Sequence, residues 1–244
     1  MAPGIIVIAL AFATLVSTLI GGVTAIKLRR VQPYFFAFAS GALIAVAFLD
    51  LLPEGLSIAQ ANAIPIRYLL ITVVLSYLFY NSLERFLLTH HFHNQNEESK
   101  HMMGPVGAGS LSIHSFLDGV AIGTAYLASP AIGIVVALAV IFHDFTDGIN
   151  TVTVMLKNKQ RLSRTTLFLA IDAVAPVLGV FTTFAVNIGV VPLAFLLAMF
   201  SGEFLYLGAS HLLPETFKHS QARMMLLICS GAFLIMLLTS LINI

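Results

Sequence analysis

One polar heptad occurs twice in the chain, first as His114-Ser115-Phe116-Leu117-Asp118-Gly119-Val120 and then, in the next apolar segment, as His143-Asp144-Phe145-Thr146-Asp147-Gly148-Ile149. Each copy lies near the centre of an apolar segment that is long enough to cross a bilayer. Each copy also places a histidine and an aspartate four positions apart, on one face of a helix. Such groups are costly inside a membrane unless they bind something or bind each other. The heptads therefore predict transmembrane helices with a cation site on a transport path.

The composition supports this class of protein. Of the 244 residues, 59% are hydrophobic and only 9% are charged, and the mean hydropathy is +0.97. These values are typical of a polytopic helical membrane protein rather than of a soluble domain. The net charge of +1 gives no indication of nucleic-acid binding. The single cysteine, Cys229, excludes an intrachain disulfide and a thiolate metal site.

Eight spans account for the apolar segments, so the predicted fold is an all-α membrane protein whose single transporter domain covers residues 1–244. The spans are placed at about 4–26, 33–56, 65–88, 104–127, 130–156, 163–188, 190–216 and 221–243. The first span is expected to be a retained helix rather than a cleaved signal peptide, because no positive residue precedes it. The one long polar connection is a predicted loop over 89–103, a candidate for metal sensing or, alternatively, a solvated loop. Its histidines are His90, His91, His93 and His101.

Positive residues concentrate on one side of the predicted membrane. Eleven of the twelve Lys and Arg residues lie in or beside the first, third, fifth and seventh connections, and only Arg67 lies on the other side. By the positive-inside rule these connections face the cytoplasm, so both termini are predicted to face outward. The absence of long insertions in the sequence favours a prokaryotic cytoplasmic membrane as the location.

A second internal repeat relates the second span to the seventh. Ser40-Gly41 precedes Asp50-Leu51-Leu52-Pro53-Glu54 by the same interval that separates Ser201-Gly202 from His211-Leu212-Leu213-Pro214-Glu215. These two spans run in opposite directions across the membrane, and so do the two heptad spans. We therefore predict an inverted-repeat pseudo-symmetry, which is a recurrent feature of transporters. Chance recurrence among leucine-rich helices is the alternative.

The heptads supply the side chains of a transition-metal site. Imidazole nitrogen and carboxylate oxygen together form the ligand set of Zn, Fe(II), Mn or Co. Spread over two helices, such groups can enclose one ion or bridge two. A purely structural network of so many polar groups in hydrocarbon is the less favoured alternative. The predicted metal ligands are His114, Ser115, Asp118, His143, Asp144 and Asp147.

Four further residues are predicted to lie on the transport pathway or behind the ligands. Asp172 and Glu203 reach a depth similar to that of the heptads, where they could complete a second site, carry protons or bond one helix to another. Asp50 and His211 occupy equivalent positions in the second repeat. They are candidates for entry and exit relays or, alternatively, interfacial residues that reach water.

The chain resembles the Zrt- and Irt-like, or ZIP, family of divalent-metal transporters over essentially its whole length. The fourth-span heptad is similar to that family's His-Asn-x-x-Asp/Glu-Gly motif, and the fifth-span heptad is similar to its His-Glu-x-x-His/Glu motif. The resemblance implies a homodimer in the lipid bilayer, with the fourth and fifth helices in a mobile bundle that slides against a scaffold containing the second and seventh. It also implies that the metal is the substrate, so that neither a cofactor nor enzymatic activity is expected.

The chain departs from the motifs of this family at several positions. Ser115 stands where the family often has asparagine, and Thr146 replaces the usual proline. Asp147 replaces a histidine or glutamate, which shifts the predicted site toward oxygen ligands and toward Fe or Mn. In the sixth span some bacterial members carry a glutamate at the position of Ala175. Asp172, one turn earlier, is the candidate replacement.

Three functions follow from these patterns. The leading one is transport of Zn²⁺, or alternatively Fe²⁺, Mn²⁺, Co²⁺ or Cd²⁺, toward the cytoplasm. A proton- or cation-coupled carrier of a small solute is the second, but no Asn, Gln, Arg or aromatic cluster supplies a solute pocket. An intramembrane zinc hydrolase is the third, and it is less well supported because the fifth span has HDxxD in place of HExxH.

Overall fold

The computed structural model describes residues 3–27, 32–92, 97–186, 188–216 and 221–242. Within this part of the chain, eight helices are long and apolar enough to cross a membrane. This finding confirms the predicted all-α membrane fold. The helices are α1 (Pro3–Lys27), α2 (32–61), α3 (Ile66–Phe92), α4 (Glu97–Ala128), α5 (Pro130–Lys157), α6 (Leu162–Ala185), α7 (190–216) and α8 (Gln221–Ile242).

Two of the helices contain a π-helical segment. In α2 the segment Ala47–Leu51 joins Gln32–Val46 to Leu52–Ala61, and in α7 the segment Tyr206–Leu212 joins Val190–Leu205 to Leu213–Thr216. Each segment ends shortly before a proline, Pro53 or Pro214. A proline cannot donate to the carbonyl four residues earlier and its ring clashes with that carbonyl, so a wider turn before it relieves the clash. Both helices are therefore altered at equivalent positions of the sequence repeat.

The packing of the helices follows the predicted inverted repeat. Helix α2 packs against α8 while α7 packs against α3, and α1 packs against α5 while α6 packs against α4. The predicted repeat relates α1 to α6, α2 to α7, α3 to α8 and α4 to α5. It therefore converts the α2–α8 pair into the α7–α3 pair and the α1–α5 pair into the α6–α4 pair. Helices α4 and α5, which carry the heptads, thus lie next to the pseudo-twofold axis.

One glycine in each heptad lies close to the backbone of a neighbouring helix. A Cβ atom on Gly119 would lie 2.0 Å from the carbonyl oxygen of Pro176 in α6. A Cβ atom on Gly148 would lie 1.9 Å from the carbonyl oxygen of Thr18 in α1. Small residues at such contacts are the usual means of close packing between membrane helices. The two contacts are equivalent under the inverted repeat.

The buried core joins both halves of the molecule. Its largest apolar cluster includes side chains from α2, α4, α5 and α7, among them Leu43, Ile122, Val136, Phe200 and Phe204. The outer faces are also apolar: Phe79 of α3 is 60% exposed and Leu226 of α8 is 71% exposed. In a lipid bilayer such side chains contact acyl chains rather than water, so their exposure is expected of a membrane protein.

The polar segment that we expected to be a loop over 89–103 is helical at both ends. Helix α3 continues to Phe92 and α4 begins at Glu97. The segment contains neither glycine nor proline, and its Glu and Lys residues are good helix formers, so low hydrophobicity alone does not end the helices. Residue His93 lies outside the described residues, as do the side chains of His90, His91 and His101.

Candidate metal centre

A one-residue connection brings the two heptads to the same depth. Helix α4 ends at Ala128 and α5 begins at Pro130, with Ser129 between them in an extended conformation. His114 precedes Ser129 and His143 follows it at almost the same separation along the chain. At a rise of about 1.5 Å per residue both histidines are therefore about 21–23 Å from the turn. Two antiparallel helices that pack side by side thus present both histidines at one level.

Four side chains from these helices converge at this level. One ligand atom from each of His114, Asp118, His143 and Asp147 lies within 4.8 Å of the corresponding atom of every other member. The side chain of His114 is 13% exposed and those of the other three are almost fully buried. We call this group the four-residue cluster.

Four of the separations within the four-residue cluster are close to the edges of a metal coordination shell. Nε2 of His114 lies 3.2 Å from Nε2 of His143, 3.2 Å from Oδ2 of Asp118 and 3.9 Å from Oδ2 of Asp147. Nε2 of His143 lies 3.0 Å from Oδ2 of Asp147. Ligands of a tetrahedral Zn²⁺ ion, each about 2.0–2.2 Å from the metal, are about 3.4 Å apart. The two nitrogens and two oxygens are therefore close enough to converge on one small divalent cation after small side-chain shifts.

Asp144, one residue after His143, lies just outside this group. It is fully buried, and neither of its carboxylate oxygens has a hydrogen-bond partner among the described residues. The oxygens of Asp118 likewise accept no hydrogen bond within the described part of the chain. Buried carboxylates without partners are costly, so a cation near Asp118 and Asp144 would remove a substantial penalty.

Ser115 and Asp172 form a separate network instead of joining the four-residue cluster. Ser115 Oγ donates to Oδ1 of Asp172 (2.8 Å), and Thr151 Oγ1 donates to Oδ2 of Asp172 (2.7 Å). The carboxylate of α6 is thereby bonded to both heptad helices. Thr151 is not among the residues predicted above, although it lies two turns after Asp144 on α5 and the spacing is visible in the sequence.

Glu203 reaches the four-residue cluster from α7. Its carboxylate oxygen Oε1 lies 3.1 Å from Nδ1 of His114, and the residue is fully buried. The remaining predicted pathway residues, Asp50 and His211, are not members of the four-residue cluster. Both oxygens of Asp50 accept from Thr239 Oγ1 of α8, at 2.9 and 3.1 Å, and Asp50 is buried rather than interfacial. The half-buried His211 packs its ring beside Tyr206, with 6.4 Å between ring centroids.

Helix α5 continues through the position where the resemblance leads us to look for a proline. Thr146 is buried within the unbroken helix Pro130–Lys157, and its Oγ1 donates to the carbonyl oxygen of His143 at 2.6 Å. A threonine retains the backbone N–H that a proline lacks. The candidate ligands of α5 are therefore held on a regular helix.

Comparisons with known proteins place this geometry in context. A family model described as "ZIP Zinc transporter" matches residues 106–239, which is more than half of the chain and includes both heptads. The chain is 29% identical to the Zinc transporter ZIP4 of Mus musculus over 103 residues, which are 42% of this chain and 16% of that protein. It is 28% identical to the Zinc transporter ZIP4 of Homo sapiens over 116 residues, which are 48% of this chain and 18% of that protein. The alignments thus span less than a fifth of the length of these relatives.

Proposed function

Because this chain belongs to the ZIP zinc transporter family, we propose that it carries a divalent transition metal, with Zn²⁺ as the first candidate, across the membrane toward the cytoplasm. The metal is a transported substrate rather than a cofactor. Members of this family are transporters and not enzymes, so the intramembrane hydrolase is no longer a competing hypothesis. Fe²⁺, Mn²⁺, Co²⁺ and Cd²⁺ are the other candidate substrates.

The observation that carries the proposal is the four-residue cluster. It offers two imidazole nitrogens and two carboxylate oxygens, and two ionised carboxylates would neutralise the charge of one divalent cation. It is built from neighbouring helices near mid-membrane, where polar groups mark an ion pathway. Asp144 is proposed as an additional oxygen ligand, because it is buried beside the four-residue cluster and unpartnered among the described residues.

The other predicted site residues receive different proposed roles. Ser115 and Asp172 support the site by bonding α4, α5 and α6 to one another. Asp50 is proposed to tie α2 to α8 through Thr239 rather than to relay metal. His211 remains a candidate for the cytoplasmic exit, and metal sensing by His90, His91, His93 and His101 stays a prediction.

The orientation and assembly of the protein are proposed on the sequence and on family likeness. The concentration of Lys and Arg in four connections supports outward-facing termini. Homodimerisation, a single transporter domain over residues 1–244 and a prokaryotic cytoplasmic membrane are proposed on the same basis. Metal must displace protons from its ligands, so affinity is expected to rise with pH.

Flux measurements on purified protein in liposomes test the proposal. We expect saturable Zn²⁺, Fe²⁺ or Mn²⁺ uptake by the wild-type protein and its loss in the double variant His143→Ala/Asp147→Ala. Ser112→Ala is the matched control, because Ser112 is buried on α4 and its hydroxyl donates, among the described residues, only to the carbonyl oxygen of Ala108. Folded wild-type protein that moves none of these metals would contradict metal transport and would favour the small-solute carrier.

A further inference from the structure

The two ring nitrogens of His114 face different partners. Nε2 points into the four-residue cluster, 3.2 Å from Nε2 of His143. Nδ1 points the other way, 3.1 Å from Oε1 of Glu203. In a hydrogen bond between an imidazole and a carboxylate oxygen, the imidazole nitrogen is the donor, so this contact favours the tautomer with hydrogen on Nδ1. The neutral ring then carries its lone pair on Nε2, the atom that faces the proposed metal position.

The burial of Glu203 strengthens this hydrogen bond. Glu203 is fully buried on α7, so water does not compete for Oε1. A hydrogen bond from a neutral donor to a charged acceptor is about twice as strong as one between neutral groups. The contact also joins residues that are 89 positions apart in sequence. Rotation of the His114 ring, which would turn Nε2 away from the metal position, would break this bond.

The second histidine has no equivalent support. Nδ1 of His143 is buried and has no hydrogen-bond partner among the described residues. The sequence repeat explains the difference, because the alignment that places Ser201-Gly202 on Ser40-Gly41 also places Glu203 on Ala42. Ala42 is fully buried and has no acceptor side chain. The two halves of the inverted repeat therefore differ at this position, because α7 carries the acceptor Glu203 and α2 carries Ala42.

We propose that Glu203 is a positioning residue that fixes the tautomer and the ring orientation of His114, and so makes His114 the anchoring imidazole of the metal site while His143 is held less firmly. The inference rests on the proposed function, since it concerns how the same site holds its metal. A carboxylate that accepts from the far nitrogen of a ligating histidine raises the basicity of the ligand and reduces the freedom it loses on binding. Loss of such a partner lowers metal affinity by about 10- to 100-fold in other metalloproteins.

Two variants of similar size separate the hydrogen bond from packing. Glu203→Gln retains a carbonyl oxygen that accepts from Nδ1, whereas Glu203→Met fills a similar volume without a good acceptor. We expect the Zn²⁺ dissociation constant, measured by calorimetry on detergent-purified protein, to rise about 10- to 100-fold in Glu203→Met and only a few-fold in Glu203→Gln. Ser112→Ala should leave it unchanged. Equal affinity in the two Glu203 variants, whether both are strong or both weak, would overturn the inference.

A spectroscopic measurement on the wild-type protein covers the case in which Glu203→Met does not fold. In Zn²⁺-loaded protein labelled with ¹⁵N-histidine, we expect His114 to bind metal through Nε2 and to carry hydrogen on Nδ1. The His114 signals are assigned by their loss in His114→Asn. Metal bound through Nδ1 would overturn the inference. These two measurements report metal binding and not transport. If the Glu203 variants show the expected affinities but the wild-type protein gives no flux, only the transport proposal fails. If the wild-type protein gives flux but the Glu203 variants bind Zn²⁺ as the wild type does, only the role of Glu203 fails.

Discussion

The Nε2 atoms of His114 and His143 face each other at 3.2 Å, although the residues are 29 positions apart and lie on antiparallel helices. Two neutral imidazoles can share at most one hydrogen in such a contact. A divalent cation between them would use both lone pairs and would also draw the carboxylates of Asp118 and Asp147 together. A bound cation would thus stabilise this arrangement more than a hydrogen bond between the two imidazoles would.

Metal binding should therefore stabilise the folded protein. We expect Zn²⁺ at about 100 times its dissociation constant to add about 2.7 kcal/mol to the free energy of unfolding. The effect should vanish in His143→Ala and persist in Ser112→Ala. Thermal melting in detergent, with and without a chelator, measures both. If the melting temperature of the wild-type protein is the same with and without Zn²⁺, the four-residue cluster is not a metal site.

The close approach of α4 to α6 and of α5 to α1 should depend in part on the glycine in each heptad. Gly119→Ala and Gly148→Ala would place a methyl group 2.0 Å and 1.9 Å, respectively, from a backbone oxygen of the neighbouring helix. Because backbone cannot yield as a flexible side chain does, we expect each change to cost about 1–3 kcal/mol of stability.

Gly109 supplies the matched control for this prediction. A Cβ atom at Gly109 of α4 would meet no atom of the described residues within 4 Å. Alanine favours helix over glycine by about 1 kcal/mol, so Gly109→Ala should leave the melting temperature unchanged or raise it. Equal effects of alanine at all three glycines would contradict the role assigned to the close contacts at Gly119 and Gly148.

The network around Asp172 should support the fold more than it supports metal affinity. Thr151→Val removes one hydrogen bond to the carboxylate and should cost about 1.5–3 kcal/mol of stability. The Zn²⁺ dissociation constant should stay within about twofold of the wild-type value, because Asp172 is bonded to hydroxyls outside the four-residue cluster. Calorimetry and thermal melting on one preparation measure both quantities. A tenfold weaker affinity would instead assign Asp172 to the metal site.

The contact between Asp50 and Thr239 should hold α2 against α8 beside the π-helical segment. Thr239→Val leaves the buried carboxylate without its hydroxyl partner, and we expect a loss of about 1–3 kcal/mol. Ser240→Ala is the control, because the exposed Ser240 hydroxyl donates to the carbonyl oxygen of Leu237 and to no other residue in the described part of the chain. If both variants melt alike, Asp50 does not depend on Thr239.

The polar segment between α3 and α4 illustrates a limit of hydropathy. Low hydrophobicity over 89–103 led us to expect a loop, but α3 ends only at Phe92 and α4 begins at Glu97. Hydropathy reports where a helix can lie in lipid, whereas helix ends are set by backbone breakers and capping groups. This segment contains neither glycine nor proline. The edges of the membrane and the ends of the helices are thus different properties of the chain.

The sequence by itself determined the membrane class, the eight helices and the depth of the heptads. Length and hydrophobicity define a span, and a fixed rise per residue converts the nearly equal separations from Ser129 into nearly equal depths for His114 and His143. The spacing of four residues within each heptad also fixed the shared face of each histidine and aspartate. These properties are local, because they depend on residues that are near one another in the chain.

The tertiary structure alone decided which side chains meet across helices. Ser115 turned toward Asp172 rather than toward the heptad of α5, Asp50 met Thr239, and Glu203 met His114. The rotation of each helix about its axis and the choice of its neighbours depend on packing over the whole bundle, including the backbone contacts at Gly119 and Gly148. Contacts between residues far apart in the chain are set by that packing, and the spacing within one helix carries no information about it.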